Sequence, residues 1–372
     1  MSDARLVPHL GKALRRTAQA HLRDWLGAPP RPLKLRMALT NRCNSRCIMC
    51  SIWKFQDNFA PSIPGETSPD DIRRLGERSR DFFSELNHIS LTGGEATLRR
   101  DLVELLRAVG EAFPGRSVSL NTNGFSPAKL HRILDEACEF LHGITVTISL
   151  DGIGATHGVV RGMGSKVYDA VRESIDGIVA RREAGRPMDV EVNTVMTNAN
   201  ADQMAPVHAF CAERKIAWNP IFVIKGQLYQ NQSGQDDALV LSPDSRRRLT
   251  DDMRAIAKAR PSVKNSETLR LLEEDGRRDY DCWAGRLLLL IEENGDVYPN
   301  GGCPPEFKIG NMRDTDFDLG ALFATPLARE VLAKAKDCRA CAIPCEYMTT
   351  LRYAEALEGW RKTRRAAELA GA

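Results

Sequence analysis

Between residues 33 and 226 the apolar residues switch repeatedly between two periods, and that switching restricts the fold more than any other feature of the sequence. Leu33, Leu35, Met37 and Leu39 alternate as one face of a strand. Ile89 and Leu91 repeat the period of two, as do Val118 and Leu120, Ile144 with Val146, Ile148 and Leu150, Val190 and Val192, and the stretch 216–223. Helical periods lie between them. Leu102, Leu105, Leu106, Val109 and Phe113 share one helical face; so do Leu130, Ile133, Leu134, Ala137 and Leu141, and so do Val167, Ala170, Val171, Ile175 and Ile178. Ser126 is placed as an N-cap with Pro127 in the first turn, and Gly185 closes the third helix. Strands alternating with helices predict a parallel sheet with crossover helices. Six such units fall short of a closed eight-unit barrel. The predicted class is α/β, a partial (β/α)6 TIM-like barrel.

Polar groups cluster where these strands end: the loop carrying Cys43, Thr92-Gly93-Gly94-Glu95, Asn121-Thr122-Asn123-Gly124, Ser149-Leu150-Asp151-Gly152, and Asn193-Thr194. In barrels of this kind the site forms at the C-terminal ends of the strands. Gly, Asn and Asp also punctuate ordinary turns. The convergence of all five groups on one edge is what favours a site over turn chemistry.

Beyond residue 226 the pattern changes. A polar loop at 231–237 is followed by helical stretches near 243–259 and 265–279. Residues Leu287–Glu292 and Val297–Tyr298 flank Asn294-Gly295 and read as a β-hairpin. A helix near 319–335 and a polar helix at 347–370 complete the chain. Residues 8–27 form a basic, loosely amphipathic helical pattern closed by Pro29 and Pro30, expected as a solvated lid helix, with a membrane-surface helix as the alternative. The implied division is an N-terminal extension at 1–32, the barrel at 33–226, a helical linker at 227–281, a small α+β cysteine-rich domain at 282–346, and a C-terminal helix at 347–372.

Composition narrows the function classes. Lys and Arg number 52 against 49 Asp and Glu, a net charge of +3, which argues against a nucleic-acid binder. The longest apolar run, 287–291, is far below the ~20 residues of a membrane span, and the N-terminus carries no secretion-like apolar run. A cytoplasmic protein is expected. Of ten cysteines, eight are grouped. Cys43, Cys47 and Cys50 form C-x3-C-x2-C. Cys282 and Cys303 flank the hairpin. Cys338, Cys341 and Cys345 form C-x2-C-x3-C. Cys138 and Cys211 are expected as buried thiols on helix faces. Grouped cysteines in a cytosolic chain indicate metal or cluster ligation. Three thiolates hold three corners of a cubane that takes four, leaving one iron open; a zinc knuckle is the alternative, although zinc sites usually pair C-x2-C units.

Cys43-Asn44-Ser45-Arg46-Cys47-Ile48-Met49-Cys50 resembles the signature of radical S-adenosylmethionine (SAM) enzymes. Leu91-Thr92-Gly93-Gly94-Glu95 is similar to that family's glycine-rich motif after the second strand. Ile148-Ser149-Leu150-Asp151-Gly152, with His157 and Arg161-Gly162, resembles the fourth-strand segment of its sulfatase-maturase branch. The resemblance implies that Cys43, Cys47 and Cys50 ligate a [4Fe–4S] cluster whose open iron is chelated by the methionine end of SAM. It places Thr92, Gly93, Gly94 and Glu95 against the SAM amine, and Ser149 and Arg161 on its carboxylate. Asp151 and Asn193 are candidates for ribose or supporting contacts. Met49 stands where the family usually carries an aromatic residue and is a candidate for packing on adenine. Ala96 replaces the proline that commonly follows Gly-Gly-Glu.

The C-terminal cysteines resemble the SPASM/Twitch extension of the same superfamily. Five cysteines cannot supply two fully protein-ligated cubanes. One auxiliary [4Fe–4S] cluster on Cys282, Cys303, Cys338 and Cys341 is implied, with Cys345 replacing one of them or spare; a structural zinc site fits the same thiolates. Related maturases carry an acidic residue after the second cysteine, where this chain has Pro304. No general base is assigned. Glu306 and Tyr298, with Trp283, are candidates only as neighbours of that motif.

The implied activity is reductive cleavage of SAM to a 5′-deoxyadenosyl radical that abstracts a substrate hydrogen, giving a net oxidation or bond formation. A one-electron reductant such as flavodoxin or ferredoxin is required, and a monomer is expected. Only 42 residues precede Cys43, fewer than the ~80 of a separate peptide-binding domain. A small molecule such as a sugar-like alcohol or amino-sugar alcohol is the expected substrate, with a peptide delivered by a separate recognition protein as the alternative. A non-catalytic iron–sulfur or zinc scaffold is the reading from a different class.

Overall fold

The computed structural model describes residues 18–54, 63–223, 241–274 and 281–339. Among them, nine strands form one sheet in the order β6-β5-β4-β3-β2-β1-β7-β8-β9. The first six are β1 (Lys34–Ala38), β2 (His88–Thr92), β3 (Ser117–Thr122), β4 (Ile144–Ser149), β5 (Met188–Met196) and β6 (Ala217–Phe222). All neighbours within this set pair in parallel, for example Met37 with Leu91 and Ser149 with Asn193. Their C-terminal ends therefore lie along one edge, as the alternation of periods predicts.

The period of two divides the sheet into faces. Leu35, Met37, Ile89, Leu91, Leu120, Val146, Ile148 and Val192 point to one side and are fully buried. That side is covered by helices α1 (Pro69–Arg78), α2 (Leu102–Ala112), α3 (Pro127–Ala137), α4 (Ala155–Val160), α5 (Val167–Glu183) and α6 (Met204–Glu213). The other face carries His88, Ser117, Ser119, Thr147, Glu191, Asn193 and Asn219, a polar concave surface knitted by side-chain bonds. Examples are Thr147 Oγ1 to Glu191 Oε1 at 2.8 Å and Asn219 Nδ2 to Asn193 Oδ1 at 3.1 Å.

Helix α1 is absent from the sequence reading because it is poor in apolar residues; only Ile72, Leu75 and Gly76 are buried on it. Its signal is Ser68-Pro69-Asp70-Asp71, which forms a capping box, with Asp71 N–H on Ser68 Oγ at 3.1 Å and Ser68 N–H on Asp71 Oδ2 at 3.0 Å;. Ser126 occupies the N-cap position of α3 but makes no capping bond. Cys138 caps the far end of α3 half-buried rather than in the core, whereas Cys211 is buried on α6 as expected.

After the barrel, α7 (Pro243–Ala259) and α8 (Val263–Glu273) pack together. Helix α8 starts two residues before the predicted boundary, where Ser262 caps it through Asn265 N–H at 3.1 Å. The hairpin forms as predicted, with β7 (Leu288–Ile291) antiparallel to β8 (Asp296–Tyr298). It does not make a sheet of its own. Strand β7 runs parallel beside β1, Met37 opposite Ile291, and β9 (Gly310–Asn311) closes the edge. The helix expected at 319–335 is two, α9 (Leu319–Phe323) and α10 (Pro326–Asp337). Pro326 forces the break because it cannot donate an N–H inside a helix, and Thr325 caps the second segment through Ala328 N–H at 3.2 Å. The loop at 231–237, the helix at 347–370, Cys341 and Cys345 lie outside the described residues. Among the described residues no helix is long and apolar enough to cross a membrane.

Candidate active site

The cysteine loop leaves β1 at the C-terminal edge and is gripped from two sides. On one side the Gly93-Gly94-Glu95 segment lies directly against it. Gly94 N–H bonds Thr40 O at 2.7 Å, and Glu95 N–H bonds Arg42 O at 2.8 Å. A Cβ on Gly93 would meet Thr40 O at 2.3 Å, and one on Gly94 would meet Arg42 O at 2.2 Å. No residue other than glycine fits that approach. On the other side the end of α4 pairs with the loop: Arg46 N–H bonds Arg161 O at 3.1 Å and Ile48 N–H bonds Val160 O at 3.0 Å. Gly162, at φ +61°, presses against Arg46, whose carbonyl would lie 2.1 Å from an added Cβ.

Cys43 and Cys47 are buried and Cys50 is half-buried. Ser45 N–H donates to Cys43 Sγ at 3.4 Å, and Ser45 Oγ lies 3.2 Å from Cys47 Sγ. Arg161 Nη1 donates to Cys47 Sγ at 3.4 Å. Burial pushes the Cys50 thiol up to about 12, with Cys47 adding to the rise. Burial raises Cys43 further, reinforced by Glu95 and the other two cysteines. The raised Cys43 and Cys50 thiols hold their protons until a metal displaces them;. Among the described residues no group of three or more His, Cys, Asp or Glu side chains is arranged to hold a single metal ion. The fit to a multi-iron cluster rests on the donor set itself: three thiols on one loop, backbone-locked, with a guanidinium donating to one sulfur and a hydroxyl in hydrogen-bond reach of it;.

Glu95 is almost wholly buried, 1% exposed. Its Oε1 accepts from Thr97 N–H, Thr97 Oγ1 and Thr122 Oγ1 at 3.1, 2.6 and 2.7 Å, and its Oε2 accepts from Asn123 N–H at 2.7 Å. Asn123 Nδ2 in turn donates to Asn44 Oδ1 at 2.7 Å. The carboxylate thus fixes the end of β3 and, through Asn123, the cysteine loop. Thr92 Oγ1 accepts from Asn121 Nδ2 at 3.3 Å on the concave face, where Ser149 and Asn193 sit side by side on β4 and β5. Met49 packs with Cys47 and Val160 in a small apolar cluster.

Asp151 is fully buried and ion-paired with Arg161, Oδ2 to Nε at 2.6 Å. Its Oδ1 accepts from Val195 N–H at 2.8 Å, and its own N–H donates to His157 Nδ1 at 3.1 Å. Burial raises the Asp151 carboxyl, opposed by Arg161. Burial alone would lower Arg161, but Asp151 and Cys47 outweigh it. Arg161 therefore joins the Asp151 turn to the cysteine loop, and Asp151 is enclosed rather than open on the concave face. Burial pushes His157 down to about 3. Asn200 completes the knot, with Nδ2 on Asp151 O and Val195 O, both at 2.8 Å.

The segments carrying Cys282 and Cys338 lie side by side, although among the described residues Cys282, Cys303 and Cys338 form no group arranged to hold a metal ion. Cys282 N–H bonds Lys336 O at 3.0 Å, two residues before Cys338, and Arg339 Nη2 bonds Asp281 Oδ1 at 2.8 Å. Cys303 precedes a 3-10 turn, Pro305–Phe307, that packs on α10. Trp283 faces His21, ring centroids 4.4 Å apart. Glu306 is exposed. Tyr298 instead lines a pocket of about 150 Å³ with Asn41, Glu292, Glu293, Asp296, Asn300 and Cys303. Glu292 and Glu293 escape sequence reading because the parallel pairing of β7 with β1, which brings them beside Asn41, joins segments about 250 residues apart.

A parallel partial barrel with a thiol-rich loop at its C-terminal edge defines the class. Residues 37–205 match the model of the radical SAM superfamily. A curated relative, the probable GTP 3',8-cyclase of Saccharolobus islandicus, is 32% identical over 179 residues, covering 47% of this chain and 51% of the relative. The chain thus spans about half the length of the curated relative it matches. Among solved structures, Streptococcus suis SuiB bound to S-adenosylmethionine shares the fold at a TM-score of 0.56 and 19% identity, covering 81% of this chain and 68% of that one. The structure of anSMEcpe with bound AdoMet shares it at 0.54 and 16%, covering 91% and 95%.

Proposed function

We propose that the protein is a radical SAM enzyme that oxidises, or forms a bond on, a substrate carbon. The observation that carries the reading is the cysteine loop itself. It holds three thiols at C-x3-C-x2-C spacing, backbone-bonded to Gly-Gly-Glu on one side and to Arg161 on the other. When bound to Cys43, Cys47 and Cys50, a [4Fe–4S] cluster supplies the electron that breaks SAM into methionine and a hydrogen-abstracting 5′-deoxyadenosyl radical. The chain's part is position and exclusion. Gly93 and Gly94 allow the loop to seat against the sheet, Glu95 and Asn123 hold Asn44, and Arg161 sets Cys47. Thr92, Ser149 and Asn193 line the adjacent concave face as contacts for SAM.

An auxiliary cluster on Cys282, Cys303 and Cys338, with Cys341 or Cys345, extends this reading. It would accept the substrate electron and make the net reaction an oxidation; flavodoxin or ferredoxin would supply the initial electron. The nucleotide in the curated relative's name is highly anionic, and the carboxyl-lined pocket beside Asn41 opposes such a substrate;. A small polar molecule fits better. SuiB, of the same fold, has been seen bound to a precursor peptide, SuiA, and a peptide side chain is the second reading. The test is Cys47→Ala. The expected result is loss of 5′-deoxyadenosine formation with iron still bound by the C-terminal cysteines. Unchanged cleavage ends the proposal.

A further inference from the structure

The pocket at the seam between β1 and β7 is lined by residues belonging to, or next to, both cysteine groups. Asn41 stands two residues before Cys43, and Cys303 is itself part of the lining. Its lining is chemically one-sided. Glu292, Glu293 and Asp296 supply carboxyls, Asn41 and Asn300 amides, Tyr298 a phenol, and among the described residues no cationic side chain lines it. Asp296 is already matched by Lys308 at 2.8 Å from outside the lining. Glu293 Oε1 accepts from Asn41 Nδ2 at 2.6 Å. That leaves the pocket an excess of acid.

It also holds unmet hydrogen-bonding groups. Asn300 is 1% exposed, and among the described residues neither its Oδ1 nor its Nδ2 has a partner; Asn41 Oδ1 has none either. Buried amides of this kind are ordinarily satisfied. An amide with both ends idle on the wall of an acidic pocket marks a place built to be completed by a ligand that donates several N–H bonds.

We propose that this pocket is the substrate-anchoring subsite and that it takes a primary ammonium group. The proposal deepens the radical SAM reading and rests on it for the word substrate. A volume near 150 Å³ admits a group about the size of one six-membered ring, an arm or ring edge of the substrate rather than the whole. The ammonium offers three donors to Glu292, Asn41 Oδ1 and Asn300 Oδ1, while Asn300 Nδ2 is free for a neighbouring hydroxyl or carbonyl. The charges facing Glu292 fit this role. Burial first, then Glu293 and Asp296, push its carboxyl up to about 8, with Arg36 alone opposing. Glu292 therefore carries a proton that an entering cation displaces.

The chemistry has two sources, an amino sugar or a lysine side chain, and the test carries both. Reconstituted full-length protein with SAM is titrated calorimetrically with glucosamine, N-acetylglucosamine, N-acetyl-Gly-Lys-Gly-amide and the Nε-acetylated form of that peptide. At least one free amine is expected to bind about tenfold or more tightly than its acetylated partner, with proton release seen as buffer-dependent heat. Whichever amine binds better identifies the source. Glu292→Gln and Asn300→Ala are expected to weaken that binding about tenfold, while Glu330→Gln on the outer face of α10 leaves it unchanged. Equal binding of free and acetylated forms, no binding of either amine, or indifference to Glu292→Gln in a protein that still cleaves SAM overturns the proposal. Absence of SAM cleavage in the unsubstituted protein is a separate result, counting against the radical SAM reading.

Discussion

Two glycines at positive φ, one at each end of α4, offer a test of how the cysteine loop is held. Gly154 and Gly162 have φ of +64° and +61°; alanine costs about 1–2 kcal/mol at Gly162 for the left-handed conformation and about 1–3 kcal/mol at Gly154, whose ψ of −133° lies outside that well;. Their surroundings differ. Nothing lies within 4 Å of a Cβ on Gly154, whereas one on Gly162 meets Arg46 O at 2.1 Å and Arg46 C at 2.8 Å. Ordinary contact begins at 3.4 Å, so the Arg46 carbonyl must retreat by more than an ångström, carrying with it the segment between Cys43 and Cys47. Such overpacking adds about 1–3 kcal/mol. Gly162→Ala is therefore expected to unfold about 2–5 kcal/mol more easily than the parent. Displacing the ligand loop by that distance is expected to lower SAM cleavage roughly 10²-fold. Gly154→Ala loses only the conformational part and keeps its cleavage rate within about threefold. Urea unfolding of the iron-free protein and chromatography of 5′-deoxyadenosine after anaerobic reconstitution read the two effects. Equal stability and equal cleavage in both variants would refute the argument that close approach to Arg46 seats the loop.

Three further outcomes follow from the buried polar groups. Arg161→Ala strands the fully buried Asp151 and is expected to cost about 3–5 kcal/mol, whereas Asp151→Ala/Arg161→Ala costs less than the sum of the single changes; additive losses in urea unfolding would contradict this. Glu95→Gln removes a carboxylate that accepts four hydrogen bonds and is expected to destabilise by about 1.5–3 kcal/mol, with a parallel loss of iron loading through Asn123 and Asn44. His157 is held near 3, below its unfolded value of 6.5. The unfolded chain then binds the extra proton, so the stability His157 contributes is present above pH 6.5 and lost as pH falls toward 3. His157→Asn, which keeps an acceptor for Asp151 N–H, is expected to gain on the parent by up to about 1.4 kcal/mol per pH unit between pH 6 and 5; parallel unfolding midpoints across that range would show the shift to be absent.

The first strands of the barrel are legible because they alternate a buried apolar residue with a more exposed polar one, as in Lys34-Leu35-Arg36-Met37, so that period and facing coincide. The same alternation left the concave face readable only in part. Ser149 and Asn193 stand out beside turn residues, but Glu191 and Asn219 belong to no motif. Helix α1 carries its evidence in a cap rather than in a stripe, and α9 and α10 run together until Pro326 is weighed. Glu95 and Asp151 were visible as motif residues, but their engagement with Asn123 and with Arg161 depends on contacts across the sheet. The pairing of β7 with β1 was beyond the sequence: a hairpin signal specifies its own turn and says nothing about the strand that will lie beside it.

The central claim is tested most directly by reducing the anaerobically reconstituted protein in the presence of SAM and following 5′-deoxyadenosine, with iron and sulfide counted on the same sample. The account predicts 5′-deoxyadenosine formation at about eight irons per chain, falling to about four irons without cleavage when Cys43, Cys47 and Cys50 are all replaced by alanine. A fully iron-loaded protein that leaves SAM intact, or cleavage that survives loss of those three cysteines, would contradict it.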